Sequence, residues 1–519
     1  MKTRFATLTA LTLIGAWLRF SGASFGIPGL FRPDEEYMIN PALSFVNDWN
    51  PHFAIYPAGQ MYVQHAALWA YAAARGRSSN FRSLYEGGSY PMAHVVARWV
   101  SAAFGTATVP AIYFAGAPAF GSTAALASAA IVACSTIHVL NSKFATTDVA
   151  AVFWLVLALA MLLRVAKYYR LRDSLSAGFF SGIATATKYP AAAIALGIAA
   201  AHLGGRRRAG GSLIGLAADP RMYLAGLVMF VAFFCASPYV LLDWSQTARD
   251  YTHQRVFVLE GVSAAGYGWR WLLLHAMRDC FGIGMEALML AALVWALFRR
   301  EPGTLSTLAF VGATFSALLS SHQLFYRYIL VPFPAMALLA GILVADLIAF
   351  AVTRLGKRRG GALVIAGFAF LLAPSLIRDI QLDLLLNRTD TRVLALRWIE
   401  RHIERGSAIA EIDQTTPYGK PPLSVSYRVL PFEDPKLLRA KGVTWVVSDS
   451  YPPLFYSRGP SADELAALNA QATLVFDADP IRNDAPVPIF DPNDAFYVPL
   501  QHLSSVTRPG PRIRIWKLR

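Results

Sequence analysis

The chain has 519 residues, 55% of them hydrophobic and only 15% charged, with a formal net charge of +15. That balance is too apolar for a soluble globular domain and points to a polytopic membrane protein. Its three cysteines, Cys134, Cys235 and Cys280, lie in or beside apolar runs without CxxC or Cys/His spacing, which suggests neither a disulfide framework nor a zinc site.

Residues 1–24 begin Met-Lys-Thr-Arg and run apolar to Leu18. A cleavable signal ending at "SGAS" is the alternative reading, but the many later spans make a removable signal unnecessary, so a retained first helix is expected. A long loop, 25–92, follows. Further apolar segments fall at 93–116, 122–140, 148–163, 221–242, 281–298, 304–321, 328–349 and 360–377. The run 174–204 is either one long helix with Lys188 in its middle or two short helices turning at "TKYP". Charge decides between them. With a turn, Lys2 and Arg4 share a side with "RVAKYYRLR" (164–172), "RRR" (206–208), "RR" (299–300) and "RLGKRR" (354–359), a positive-inside pattern.

The expectation is therefore a polytopic α-helical membrane protein of about eleven spans over 1–377, with a cytoplasmic amino terminus. Residues 378–519 change composition. There "DTRVLALRWIERHI" reads as an amphipathic helix, and "VTWVVSDS" and "RIRIWKL" as strands of a small extracytoplasmic α/β domain. Much of the basic excess is then cytoplasmic loop, and a nucleic-acid surface is not needed to explain it.

Polar groups meet at the outer boundary. "LFRPDEEYMIN" puts Asp34 and Glu35 just past the first helix; a solvated loop acid is the bland reading. "LNSKFATTDVAAVF" puts Lys143 and Asp148 at a helix junction, where Asp148 is otherwise a simple cap. Lys188 and Tyr189 mark the tip of the short helix pair, with a snorkelling lysine as the alternative. "SSHQLFYRYILVPFP" adds His322, Tyr326 and Arg327; an aromatic belt accounts for the tyrosines but less well for an arginine on the basic-poor face.

Carboxylates and cations sharing one water–membrane boundary suit a phosphate-linked lipid substrate. Arg and Lys would hold the leaving phosphate, while one carboxylate deprotonates an acceptor hydroxyl as it attacks an anomeric carbon. A transporter or flippase of a lipid-linked intermediate is the competing class. It would instead hide ionisable groups near the midplane between repeated halves, and no sustained repeat is present. A receptor or scaffold using the tail leaves the cation pattern unexplained.

The order of these motifs resembles the polyprenyl-phosphate-sugar-dependent transferases of the GT-C fold. The similarity is to bacterial members of glycosyltransferase family 39, related to protein mannosyltransferases and lipid A aminoarabinose transferases. It rests on "RPDEEYMINPALSFVNDWNPHFAIYPAGQMY" (32–62), with PDE, NPH and YP in order, on Asp148, "TKYPA" and "RYILVPFP", and on "DTRVLALRWIERHIERGSAIAEI" (390–412). The resemblance implies Asp34 as catalytic base with Glu35 beside it, Asp148 as the acid orienting the acceptor or a metal, and inversion at the anomeric carbon. It implies a bacterial inner-membrane setting, a polyprenyl-phosphate-linked sugar donor, and a glycan, lipid or protein acceptor. No cofactor is firmly required; a divalent cation near Asp34 and Asp148 is the one candidate. The first-loop lysine that contacts the carrier phosphate in aminoarabinose transferases is missing, since 51–74 hold no Lys or Arg. Lys188, Arg327 or His52 would take its place, with Tyr56 of the YP motif among the substrate-binding residues.

Overall fold

The computed structural model describes residues 2–29, 31–76, 90–212, 215, 218–261, 266–412, 419–450, 459–494 and 496–519. It divides into two compact units. The first comprises Met1–Ala23, Asp34–Val262 and Gly266–Asp379; the second takes in Ser24–Pro33, Ser263–Ala265 and Ile380–Arg519. The second unit thus includes a piece of the first loop as well as the tail.

The first unit is helical. Its elements in chain order are α1 (Lys2–Phe20), α2 (Pro33–Ser44), α3 (Gly59–Ala74), α4 (Tyr90–Phe120), α5 (Ser122–Ala133), α6 (Thr136–Asn141), α7 (Asp148–Tyr168), α8 (Leu171–Thr187), α9 (Ile194–Arg208), α10 (Pro220–Ala236), α11 (Trp244–Glu260), α12 (Ile283–Arg299), α13 (Pro302–Leu319), α14 (Phe333–Leu355) and α15 (Lys357–Leu386). Among the described residues α4, α7, α13, α14 and the helix beginning at Lys357 are long and apolar enough to cross a membrane, and α5 and α10 are shorter apolar helices. The first loop, expected only as a loop, contains two helices, α2 and α3. Their apolar sides build one core with α4, of Ile39, Ala42, Leu43, Leu68, Ala93 and Ala97, and a second between themselves, of Met38, Phe45, Ala58 and Met61.

The run 174–204 breaks at Lys188. Pro190 has no N–H to continue α8 and its ring would clash with the Ala186 carbonyl, and Lys188, the capping residue, is extended at φ −154°, ψ 118°. A 3₁₀ turn, Tyr189–Ala193, then leads into α9, which reverses the chain. Its far end returns to the end of α7, where Gly205 packs on the Val165 carbonyl and the Tyr169 ring. On its other side α8 lies so close to α10 that a Cβ at Gly178 or Gly182 would collide with the carbonyl of Ala225 or Met229; small residues give membrane helices this approach.

Basic loops gather at one end of the bundle. There Arg4 donates to Ser122 Oγ (3.2 Å), Lys167 to the Pro118 carbonyl (2.7 Å), and Asp219 accepts from the Tyr169 hydroxyl (2.8 Å) and Arg206 (2.6 Å).

In the second unit a five-stranded sheet has the order β2-β1-β3-β5-β4, with β1 (Ala408–Glu411), β2 (Arg428–Pro431), β3 (Trp445–Ser450), β4 (Ala472–Ala478) and β5 (Arg512–Leu518). β1 pairs in parallel with β2 and β3; β5 is antiparallel to β3 and β4. Side chains alternate faces with period two. Ile409, Val447, Ile513 and Ile515 pack on α16 (Thr391–His402) through Ala395 and Ile399, while Ala408, Ala410, Val446, Trp516 and Leu518 pack on the opposite face with Leu438 and Leu468. The expected helix and both expected strands are present as α16, β3 and β5.

Candidate active site

Four charged side chains meet at the end of the bundle away from the basic loops. Asp34 lies in the first turn of α2, behind Pro33 at the first helical position, where proline is preorganised and acids complement the helix dipole. Its Oδ2 is 2.8 Å from Arg327 Nη2, on the 3₁₀ turn Tyr326–Leu330. Asp148 is the first residue of α7; Thr147, not Asp148, occupies the cap position. The Asp148 carboxylate pairs with the Lys188 ammonium, and both are buried. Gly59, opening α3, packs on the Ala186 carbonyl at the end of α8, a contact too close for any Cβ, so the YP motif is drawn against the Lys188 turn.

The two pairs form one electrostatic group. Lys188 feels Asp148, Arg327 and Asp34, and the Tyr56 hydroxyl sits among Asp34, Arg327 and Asp148. Burial, reinforced by Asp34, pushes that phenol well above its ordinary value, so Tyr56 is a neutral hydrogen-bond donor. The Lys188 ammonium also lies 5.3 Å from the Tyr328 ring centroid. The Tyr189 hydroxyl donates to the Ala54 carbonyl (3.0 Å), tying the helix tip to the loop that carries Tyr56.

Other expected residues sit elsewhere. Glu35 is fully buried and faces away from Asp34: Arg98 Nε and Nη2 each donate to it at 2.7 Å, and the Ala145 N–H donates at 2.9 Å. Burial alone would raise this carboxyl, but the Arg98 guanidinium holds it below its ordinary value. Its carboxylate is thereby closed to substrate. It ties the helix carrying Asp34 to α4 and to the loop that leads into Asp148. Lys143 is buried and donates to the Ser21 carbonyl. His52 is exposed, 2.7 Å from Asp48. His322 stacks on Tyr267 with ring centroids 4.5 Å apart, and the Tyr326 hydroxyl donates to Asp279 Oδ2 at 2.9 Å.

Sequence reasoning passed over Arg98 and Tyr328. Arg98 had a signal, a lone arginine in the apolar stretch "AHVVARWV", because an ionisable residue inside a span demands a partner. Tyr328 had none apart from its neighbour Arg327.

A divalent cation is poorly matched to these residues. Among the described residues no three His, Cys, Asp or Glu side chains converge on a metal position. Asp34 and Asp148 each already hold a cationic side chain, so a metal between them would meet Arg327 and Lys188.

Known proteins resemble the chain in part of its sequence and in its fold. The model of the family described as dolichyl-phosphate-mannose-protein mannosyltransferase matches residues 92–241. No curated protein matches the chain. Among solved structures, ArnT from Cupriavidus metallidurans bound to undecaprenyl phosphate is similar at 13% identity and TM-score 0.53, covering 99% of this chain and 97% of that one. The archaeal oligosaccharyltransferase AglB from Archaeoglobus fulgidus, in complex with an inhibitory peptide and a dolichol-phosphate, is similar at 12% identity and TM-score 0.52, covering 92% and 73%. Residues 92–241 thus match the mannosyltransferase family model, and the chain shares the GT-C fold with ArnT and AglB.

Proposed function

We propose that this protein is an integral-membrane glycosyltransferase that moves a sugar from a polyprenyl-phosphate-linked donor to an acceptor hydroxyl. The observation that carries the reading is the Asp34–Arg327 pair set beside the buried Asp148–Lys188 pair. A buried ion pair is a poor stabiliser against apolar replacement, so Asp148–Lys188 set beside the partly exposed Asp34 and its buried partner Arg327 is best explained by chemistry.

In this reading Asp34 accepts the proton of the acceptor hydroxyl as its oxygen bonds to the anomeric carbon. The bond from that carbon to the phosphate oxygen breaks on the opposite side, which inverts the configuration. The electron pair leaves with the carrier phosphate, whose added charge Arg327 and Lys188 neutralise. A phosphate leaving group needs no proton, so one base suffices, unlike the two carboxylates of glycoside hydrolysis. Tyr56 donates a hydrogen bond toward the same phosphate, and Asp148 holds Lys188 in place. No metal is given a role.

The positive-inside rule assigns the basic end of the bundle to the cytoplasm, so the Asp34 end works on the outer face. The family signature and fold favour a lipid-phosphate donor; ArnT was seen with undecaprenyl phosphate and AglB with dolichol-phosphate.

The test is a reconstituted assay with a panel of polyprenyl-phosphate sugars, reading release of free polyprenyl phosphate. The wild-type protein should turn over at least one donor, and Asp34→Asn should cut that turnover about 10²–10⁴-fold, the scale of general-base loss. An Asp34→Asn protein with near-wild-type turnover would remove the base assignment. Failure to turn over any donor, or to bind undecaprenyl phosphate, would sink the transferase reading.

A further inference from the structure

We propose that Asp279 and Tyr326 form a brace that positions Arg327 for the donor phosphate, acting from behind the site and touching no substrate. This rests on the reading of Arg327 as a phosphate ligand.

Three residues in a row on the turn Tyr326–Leu330 point to different partners. The Tyr326 hydroxyl donates to Asp279 Oδ2 (2.9 Å), Arg327 pairs with Asp34 Oδ2 (2.8 Å), and Tyr328 lies against Lys188 (5.3 Å). A 3₁₀ turn has three residues per revolution, so successive side chains leave it about 120° apart. Fixing Tyr326 therefore fixes the direction in which Arg327 leaves the backbone.

The brace is itself anchored. Asp279 sits in the one-turn helix Arg278–Phe281, directly after a seven-residue π-helical stretch, Trp271–Met277. Such π segments are rare and cluster at functional sites. The stretch begins with Trp271 beside Tyr326, ring centroids 6.4 Å apart, and further along it His275 Nδ1 lies 3.8 Å from Asp279 Oδ2. Arg378 donates to the Phe281 carbonyl (2.9 Å) and the Asp279 carbonyl (3.4 Å), holding the Asp279 backbone from the end of α15. The Cys280 thiol meets the Tyr326 carbonyl at 3.9 Å. Asp279 and Tyr326 are both buried, whereas Arg327 reaches the charged cluster.

A long arginine held only by its own rotamers would sample many positions; misplacement of a phosphate ligand by about 1 Å is enough to cost on the order of 10²-fold. The brace fixes the backbone from which Arg327 departs, while Asp34 and the Phe325 ring hold its guanidinium.

The experiment measures binding of undecaprenyl phosphate to the full-length protein in detergent, for wild type, Tyr326→Phe, Asp279→Asn, Arg327→Ala and the Tyr326→Phe/Arg327→Ala double variant, with melting temperatures alongside. Tyr326→Phe and Asp279→Asn should each weaken binding about tenfold, the scale for loss of a hydrogen bond to a charged group. In the Arg327→Ala background Tyr326→Phe should add nothing, because the brace acts only through that arginine. A purely structural role would lower the melting temperature and give the same added loss in both backgrounds. Wild-type affinity in Tyr326→Phe, or an undiminished effect without Arg327, would overturn the brace. Wild-type affinity in Arg327→Ala would instead sink the donor-site reading on which it rests.

Discussion

At the scale of single residues the acids 34–36 divide the labour. Asp34 faces Arg327 and Glu35 is buried against Arg98, while burial and then Glu35 raise the half-buried Glu36 carboxyl. If Arg327 holds the carrier phosphate as proposed, Arg327→Ala should weaken undecaprenyl-phosphate binding as well as turnover by removing a charge-assisted contact. Glu36→Gln should cost little, and an enzyme inactivated by that change alone would mean the wrong acid has been read as the base. Glu35→Gln leaves the fully buried Arg98 without a charged partner, a loss of about 3–5 kcal/mol. Thermal melts should show the drop at neutral pH, and the Glu35→Gln/Arg98→Met pair should recover part of it. The sign with pH follows from the depressed folded value. The Glu35 contribution is complete above the ordinary carboxylate value and disappears as pH falls through the lower folded one, so wild type and variant should converge in acid.

At the scale of elements the site depends on a broken helix. Were 174–204 one continuous helix, Lys188 would lie mid-span and the following basic loops would change sides. The break places Lys188 at a tip beside Asp148, and close packing of α8 on α10 holds that tip. Gly182→Leu should therefore act at a distance. A side chain there meets the Met229 carbonyl and Ala232, forcing the helices apart at about 1–3 kcal/mol. A lower melting temperature with weakened donor binding is the expected result; an unchanged protein would show that α8 and α10 do not touch at Gly182.

At the scale of the whole molecule, the basic loops and the tail should lie on opposite sides of the membrane. In a cysteine-free background, Lys436→Cys should label with an impermeant thiol reagent from outside and Arg207→Cys should not. Labelling of both from one side would overturn the topology and the outer-face assignment of the site. The tail packs with a piece of the first loop. Residues Ser24–Pro33 belong to the second unit, with Phe31 under the Arg392 guanidinium at 3.6 Å, Arg32 paired with Asp494, and Phe25 against Phe496 at 5.5 Å. That segment runs directly into Asp34. Removing 380–519 should therefore lower turnover more than it lowers undecaprenyl-phosphate binding, since Arg327 and Lys188 stay in the first unit. Equal losses of both would place part of the donor site in the tail.

The sequence alone determined the helical membrane architecture, the break at "TKYP", the α/β character of the tail and a common boundary for Asp34, Asp148, Lys188 and Arg327, shared there with Glu35, Lys143, His322 and Tyr326. Hydropathy, proline sterics and the asymmetry of basic residues are local or one-dimensional signals, and they survive in a string of letters. Which acid faces Arg327 was not legible, because Asp34 and Glu35 are neighbours and only the direction of each side chain separates them. That direction is set by Arg98, 63 positions further on, and by the Ala145 N–H. Nor could Lys143, His322 and Tyr326 be told from Lys188 and Arg327 by sidedness, since all belong to the same junctions. Only packing decided that the Tyr326 hydroxyl turns back to Asp279 while the next side chain reaches Asp34: a 3₁₀ turn sends adjacent residues in different directions, and the partners they meet are fixed by long-range contacts.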